Sequence, residues 1–115
     1  MSKKVLVFGG SNSSTSINKR FATYAASQLT NTTNLIVDLR DFELPVFSVD
    51  IERTSGVPEK AIEFQKLIEE SDAIVASFAA NNGNFSSAFK NLRDWMYRID
   101  TPKIWRDKPM FLLSA

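Results

Sequence analysis

The chain of 115 residues contains neither cysteine nor histidine. The lack of cysteine excludes disulfide frameworks, thiolate zinc clusters and thiol nucleophiles. The lack of histidine also excludes every catalytic triad that uses an imidazole ring as its base. Any chemistry that this protein performs must therefore use other groups.

A strong net charge and long apolar runs are also lacking. The 14 lysine and arginine residues nearly balance the 13 acidic ones, so electrostatics gives no reason to expect nucleic acid or an anionic membrane surface as a partner. No apolar run approaches the ~18 residues of a membrane span, and the opening MSKK leads into a strand pattern without a signal peptide. With 43% hydrophobic residues, the composition predicts one soluble cytoplasmic domain over residues 1–115.

Short apolar runs alternate with stretches of helical spacing. The runs are rich in branched residues, as in strands buried on both faces of a parallel sheet; they are KVLVF, LIVDL, AIVASF and MFLLS (residues 4–8, 35–39, 73–78 and 110–114). Between the runs, apolar spacing predicts three helices. The first is marked by Ile17, Phe21, Tyr24, Ala25 and Leu29, the second begins after Pro58 and the third is marked by Phe85, Phe89, Leu92 and Met96. Strands that alternate with helices predict right-handed βαβ units.

One long stretch, ELPVFSVDIERTSGVP (residues 43–58), fits neither pattern. We predict an irregular loop there. Loops of this length in compact domains are often functional, and a simple surface connection remains the alternative.

The stretch VLVFGGSNSSTSIN, residues 5–18, passes from the first predicted strand through two glycines into hydroxyl and amide side chains. Ligands of open α/β sheets bind at the carboxyl ends of strands. A helix that begins near Ser16 would offer free N–H groups and its positive dipole end to a phosphate, with nearby serine hydroxyls as further donors. The tract matches neither a Walker loop nor a G-x-G-x-x-G fingerprint. A tight turn with solvated capping serines remains the alternative.

A second polar tract, AANNGNFSSAFKNLRDWMYR (residues 79–98), follows the third predicted strand. Together the two tracts resemble the NADPH-dependent FMN reductase family, flavodoxin-like proteins that include quinone, azo-dye and chromate reductases. The family's first loop reads roughly G-S-x-R-x-x-S-x-N, and its second motif roughly P-E-Y-N-G-S-x-P-G-x-L-K-N-x-x-D-W. The matching residues are Gly10, Ser11, Ser16 and Asn18 in the first and Asn82, Gly83, Lys90, Asn91, Asp94 and Trp95 in the second. The segment DLRDFELPVF, residues 38–47, also resembles the family.

The resemblance implies an α/β fold of the flavodoxin-like kind, with a doubly wound parallel sheet in three α/β/α layers and strand order 2-1-3-4-5. It implies FMN as cofactor, NADPH or NADH as electron donor, a small acceptor such as a quinone, and a homo-oligomer, either dimer or tetramer. The residues implied to bind FMN are Ser11, Ser13, Ser16, Ile17, Asn18, Ala80, Asn81, Asn82, Gly83 and Asn84. No metal is expected, and no side chain is assigned as a catalytic acid or base. A flavin-binding electron carrier without efficient turnover and an inactive partial domain remain alternatives.

The chain departs from the family pattern at several positions. Ser13 stands where the family has arginine, Ala79–Asn81 replace Pro-Glu-Tyr, and Ser86 and Ser87 replace proline and glycine. Without the arginine, phosphate binding would depend on the helix start and on hydroxyl groups. Without the tyrosine, the flavin ring would depend on the amide and backbone groups of the Asn-Asn-Gly-Asn run, which otherwise is typical of a turn.

Two further expectations concern the second half of the chain. Trp95 and Met96 with Tyr97 are expected to form a large apolar surface on a short helix, used for folding or for a subunit contact. The final residues KPMFLLSA resemble the fourth strand of the family, so we expect the fifth strand to be missing from this sheet. Residues 110–113 would then lie on or next to an unpaired edge, which favours association or lower stability.

Overall fold

The first strand is the centre of the fold. In the computed structural model, which describes residues 2–11, 17–78, 86–99 and 103–114, β1 (Lys3–Gly9) lies between β2 (Thr32–Val37) and β3 (Ala73–Phe78). The strand β4 (Met110–Ser114) pairs with β3 on its other side, and all three pairings are parallel. The order β2-β1-β3-β4 confirms the predicted flavodoxin-like sheet.

Helices cover both faces of this sheet. The helix α1 (Ile17–Ser27) connects β1 to β2, the helices α2 (Val49–Ser55) and α3 (Glu59–Glu70) lie between β2 and β3, and α4 (Ser87–Tyr97) follows β3. Successive residues of a strand point to opposite faces. The sheet therefore has one core beneath α1 and another beneath α3 and α4.

The two cores differ in the size of their side chains. Beneath α3 and α4, aromatic rings make close contacts, including Phe8 with Phe64 at 5.3 Å and Phe78 with Phe89 at 4.7 Å between ring centroids. Beneath α1, the sheet contributes valines and the helix contributes alanines; the buried residues are Val5, Val7, Val75, Ala22 and Ala26. The smaller side chains let α1 lie close to the sheet.

The second strand begins and ends earlier than predicted. It starts at Thr32 and stops at Val37, because Asp38 accepts a hydrogen bond from the backbone N–H of Arg40 and begins a single turn of 3-10 helix over Leu39–Phe42. The polar residues at the start of β2 pair with Lys3 and Lys4 of β1. Pairing with β1 thus places these residues in a strand although they are polar.

The prediction of an irregular stretch over residues 43–58 is wrong in part, because α2 forms within it. The Ser48 hydroxyl accepts hydrogen bonds from the N–H groups of Asp50 and Ile51 and caps this helix. None of the α2 residues is buried. The helix consequently lacks the apolar stripe that would reveal it in the sequence.

The buried faces of two helices differ from what their apolar spacing alone indicates. The helix α1 forms as predicted, but Ile17 and Tyr24 are 66% and 64% exposed, because alanines rather than large side chains fit between α1 and the sheet. In α4, Trp95 and Met96 are fully buried, so of the two roles expected for them the structure supports folding.

The expected sheet edge is present in the described part of the chain, where β4 pairs with β3 alone. Phe111 and Leu112 are 54% and 62% exposed. Among the described helices, none is long and apolar enough to cross a membrane.

Candidate functional site

The two polar tracts leave the sheet from adjacent points. Gly9 at the end of β1 pairs with Ser77 near the end of β3. We call residues 10–16 the first loop, which leads to α1, and residues 79–85 the second loop, which leads to Ser86 and α4. The helices α1 and α4 therefore both begin at the carboxyl edge of the sheet, where the order of the strands reverses around β1 and where such sheets bind ligands.

Most of the predicted site lies in these loops. Ser13, Ser16, Ala80, Asn81, Asn82, Gly83 and Asn84 lie outside the described residues. Ser11, Ile17 and Asn18 are described, and they stand at the two ends of the first loop. Their predicted role in cofactor binding stays a prediction.

The start of α1 lies directly against the end of β1. A Cβ atom on Gly9 would lie 2.2 Å from the backbone nitrogen of Lys19 and 2.7 Å from the carbonyl carbon of Asn18. Only glycine fits this approach. It places the first turn of α1, whose N–H groups have no partner within the helix, at the edge of the sheet. The first turn contains no acidic residue, so no carboxylate of its own occupies the positive end of the helix dipole.

Asn18 links α1 to β3. Its side chain is almost fully buried, and its Oδ1 accepts a hydrogen bond from the Ser77 hydroxyl at 2.7 Å. Ser77 has no exposed surface. The sequence predicted Asn18 as a cofactor ligand and did not single out Ser77; the structure gives the Asn18 carbonyl oxygen a partner within the protein.

Gly10 joins the base of the first loop to both ends of the second. Its N–H donates to the Ser77 carbonyl at 2.8 Å, and its own carbonyl accepts a hydrogen bond from the Ser86 hydroxyl. A Cβ atom on Gly10 would lie 2.2 Å from the Phe78 ring. We call this arrangement of Gly10 with Ser77 and Ser86 the loop anchor.

Ser11 and Ile17 flank the part of the first loop that lies outside the described residues. Ser11 is half-buried, whereas Ile17 is 66% exposed at the first position of α1. An exposed isoleucine at the start of a helix offers one apolar contact for a ligand.

Three charged side chains lie between the start of α1 and the end of β2. The Asp38 carboxylate accepts from Arg40 at 2.8 Å and from Lys19 at 3.1 Å. Hydrogen bonds from Arg40, and then from Lys19, hold the pKa of Asp38 well below its usual range against the opposing effect of its partial burial. The sequence analysis did not single out Asp38, and its position directly after β2 was the signal that could have indicated a charged residue at this edge of the sheet.

Asn91 and Trp95, two residues of the matched motif, hold a neighbouring segment. The Asn91 side chain accepts from the N–H of Phe47 at 2.8 Å and donates to the carbonyls of Leu44 and Pro45 at 3.2 and 3.0 Å. The Trp95 indole N–H donates to the Pro45 carbonyl at 2.8 Å. These contacts fix residues 44–47 against α4, so both residues support folding.

A surface groove follows the first turns of α4, from Ser87 to Asp94. Its volume is about 510 Å³, and its walls include Val46, Phe47, Lys90 and Asp94. Most of its lining is apolar, with one lysine and one aspartate at its border.

The family model for NADPH-dependent FMN reductases matches residues 3–115 of this chain. The chain belongs to this family. The family description names FMN and NADPH, which confirms the cofactors implied by the sequence resemblance. No curated protein matches the chain significantly.

Two solved structures resemble this member of the FMN reductase family. FerB from Paracoccus denitrificans, a flavoenzyme NAD(P)H:(acceptor) oxidoreductase, is 26% identical with a TM-score of 0.73; the match covers 97% of this chain and 60% of FerB. The apo form of EMOB, an NADH:FMN oxidoreductase, has a TM-score of 0.61 and 10% identity over 98% of this chain and 76% of its own. The second likeness concerns the fold alone. This chain thus spans less than two thirds of FerB.

The described residues fit the phosphate end of FMN. The close approach at Gly9 sets the start of α1 at the sheet edge, and hydroxyl and N–H donors are the chemistry that binds a phosphate. Within the described ranges, no cluster of acidic residues could hold a metal ion.

Proposed function

We propose that this chain binds FMN between its first and second loops and acts as an NAD(P)H-dependent reductase of small acceptors such as quinones. The main support is the start of α1, which packs on Gly9, carries no acidic residue and adjoins both ends of the second loop through the loop anchor. The family match supports the same assignment.

The proposed contacts divide between the two loops. The phosphate would bind to the first-turn N–H groups of α1 and to the hydroxyls of Ser11, Ser13 and Ser16. Ile17 would offer an apolar contact. The flavin ring would lie along the second loop, where the backbone and amide groups of residues 80–84 would donate hydrogen bonds to its polar edge.

The protein residues position the reactants and provide electrostatic stabilisation. Bound FMN would supply a two-electron relay between a reduced nicotinamide and the acceptor. Donors of the second loop, in particular Asn82 and the backbone around Gly83, would stabilise the negative charge that reduction places on the polar edge of the ring. For a quinone, one reduced nicotinamide and one proton yield the oxidised nicotinamide and the hydroquinone, so the electrons balance without an acid or base from the protein.

The groove along α4 supports a small planar acceptor. It begins at the first residue of α4, its walls are mostly apolar, and Lys90 in its lining suits the polar oxygen of a quinone. FerB is described as acting on an acceptor that its name leaves open. The acceptor class therefore needs a direct assay.

An anaerobic reduction experiment tests the proposal. The protein is loaded with FMN, excess ligand is removed, and NADPH is added while the visible absorption of the flavin is followed. We expect bleaching by NADPH and return of the absorption when a benzoquinone is added. If dithionite but not NADPH reduced the bound flavin, the reductase activity would be contradicted and a role as electron carrier would remain. If the protein bound no flavin, both roles would be contradicted.

The homo-oligomeric state and the cytoplasmic location stay predictions, testable by sedimentation and by cell fractionation.

A further inference from the structure

We propose that Ser86 is a positioning residue that fixes the spacing between the phosphate end and the ring end of the flavin site. The proposal rests on the proposed function, since it assumes that one ligand contacts both loops. It concerns a serine that the sequence analysis did not place in the site.

The Ser86 hydroxyl makes two different hydrogen bonds. It donates to the carbonyl oxygen of Gly10, and it accepts from the N–H of Phe89 at 3.2 Å as the N-cap of α4. A hydroxyl has one proton to donate and lone pairs to accept with, so both bonds form at once. The start of α4 is thereby joined to the base of the first loop.

Gly10 is a fixed point for this contact. Its N–H is bonded to the Ser77 carbonyl, and the Phe78 ring lies where a side chain on Gly10 would be. The second loop begins immediately after Phe78 and ends at Ser86. Both of its ends are consequently held at the same glycine, which is also where the first loop begins.

This arrangement sets one loop relative to the other before any ligand binds. A ligand that contacts both loops gains affinity from a preset spacing, because it does not have to order the loops itself. A ligand that contacts only one loop gains little. Loss of the Ser86 hydroxyl should therefore weaken FMN, which has a phosphate for the first loop and a ring for the second, more than riboflavin, which lacks the phosphate.

Titration of FMN and riboflavin into the apoprotein tests this inference in three variants. Ser86→Ala removes both hydrogen bonds, and Ser86→Thr retains a hydroxyl. Ser48→Ala is the matched control, because Ser48 is also a half-buried N-cap serine but caps α2 and makes no hydrogen bond to Gly10 in the described part of the chain. We expect Ser86→Ala to weaken FMN about tenfold and riboflavin by clearly less, Ser86→Thr to restore most of the FMN affinity, and Ser48→Ala to leave both unchanged.

A purely structural role would give a different pattern. If Ser86→Ala weakened both ligands by the same factor, or behaved as Ser48→Ala does, the inference would be wrong. Absence of flavin binding in the wild-type protein would instead contradict the proposed function.

Hydrogen exchange of the apoprotein tests the contact without a ligand. We expect Ser86→Ala to raise amide exchange at Phe89, whose N–H loses its acceptor, and at Gly10, because the backbone that holds its N–H on Ser77 loses the bond to its carbonyl. Faster exchange at Phe89 alone would mean that Ser86 only caps α4, and the inference would then fail even if FMN binds.

Discussion

The helices α1 and α4 begin at the same edge of the sheet but are held there in different ways. The helix α1 lies against the sheet through two alanines and a glycine, so its position depends on the absence of side-chain atoms at the contact. The helix α4 is held by buried Phe89, Leu92, Trp95 and Met96, and by hydrogen bonds from Asn91 and Trp95.

The two faces of the sheet therefore contribute differently to stability and to ligand binding. Of the described residues, twelve form the buried cluster beneath α3 and α4, whereas five form the cluster beneath α1. Buried apolar area is the main source of stability, so the α3 and α4 face contributes most of it. The α1 face contributes a close approach that places the first turn of α1 at the proposed ligand site. Mutations on the two faces should consequently affect stability and binding in different proportions.

The largest effect is expected at Gly9. In Gly9→Ala the new Cβ would lie 2.2 Å from a backbone atom of Lys19, so the start of α1 must move. We expect a loss of about 3 kcal/mol in the free energy of unfolding and loss of FMN binding, measured by denaturant titration and flavin fluorescence.

A second glycine provides the control for Gly9. Gly56 has a positive φ of 76° and no atom within 4 Å of an added Cβ. With a ψ of −171°, Gly56 lies in a backbone region that essentially only glycine populates, so Gly56→Ala should cost about 1–3 kcal/mol through strain, with FMN affinity retained. Equal effects of both substitutions on FMN affinity would contradict the special role of the contact at Gly9.

A smaller effect is expected at Asn91, with the opposite balance between stability and binding. Asn91→Ala leaves the N–H of Phe47 and the carbonyl of Leu44 without their side-chain partner, whereas the carbonyl of Pro45 keeps the Trp95 indole N–H. We expect a loss of about 2 kcal/mol in the free energy of unfolding, with FMN affinity reduced far less than in Gly9→Ala. Asp94→Asn, at an exposed position one turn later, is the control and should change stability by less than about 0.5 kcal/mol. If Asn91→Ala lost more FMN affinity than Gly9→Ala, the proposed difference between the two faces of the sheet would be wrong.

The smallest effect is expected at Asp38, and it depends on pH. Because the folded-state pKa of Asp38 is lowered from 3.8, its ion pairs stabilise the fold above pH 3.8 and this contribution is lost as the pH falls below that value. Asp38→Asn should therefore be less stable than wild type at pH 7, and the difference should narrow between pH 4 and pH 2. Thermal unfolding across this range measures the difference.

The control for Asp38 is an exposed carboxylate. The Asp107 side chain is 78% exposed and pairs with Lys103 at 3.4 Å. Exposed pairs contribute little to stability, so Asp107→Asn should remain close to wild type at each pH. A difference between Asp38→Asn and wild type that stays constant down to pH 2 would contradict the assigned role of Asp38.

The sequence was informative wherever burial on both faces of the sheet leaves continuous apolar runs. That is why β1 and β3 could be predicted. The strand β4 also has an apolar run, although Phe111 and Leu112 are exposed, and the strand order was implied by the family resemblance. The start of β2 is polar and is recruited by pairing with β1, and α2 has no buried residue, so neither leaves a hydrophobic pattern.

Within the site, the sequence indicated the loops but not what holds them. The polar tracts that follow β1 and β3 predicted a site at the carboxyl edge of the sheet, and this location stays a prediction. The contacts of Ser77 with Asn18 and of Ser86 with Gly10 join residues 59 and 76 positions apart. Such contacts arise only from the packing of β1 beside β3, and no local sequence pattern predicts them. The spacing of Ile17 and Tyr24 indicated a helix. Which face of that helix is buried depends on its packing against the sheet, which the spacing alone does not reveal.

Flavin discrimination is the most direct test of the central claim, which is that the start of α1 binds the phosphate of FMN. FMN and riboflavin are titrated into the wild-type apoprotein and into Ser16→Glu, which adds a negative charge near the start of α1. We expect wild type to prefer FMN by about tenfold or more, since only FMN carries the anion, and Ser16→Glu to abolish that preference through repulsion at the helix start. Equal affinities of wild type for FMN and riboflavin, or an unchanged preference in Ser16→Glu, would contradict the account.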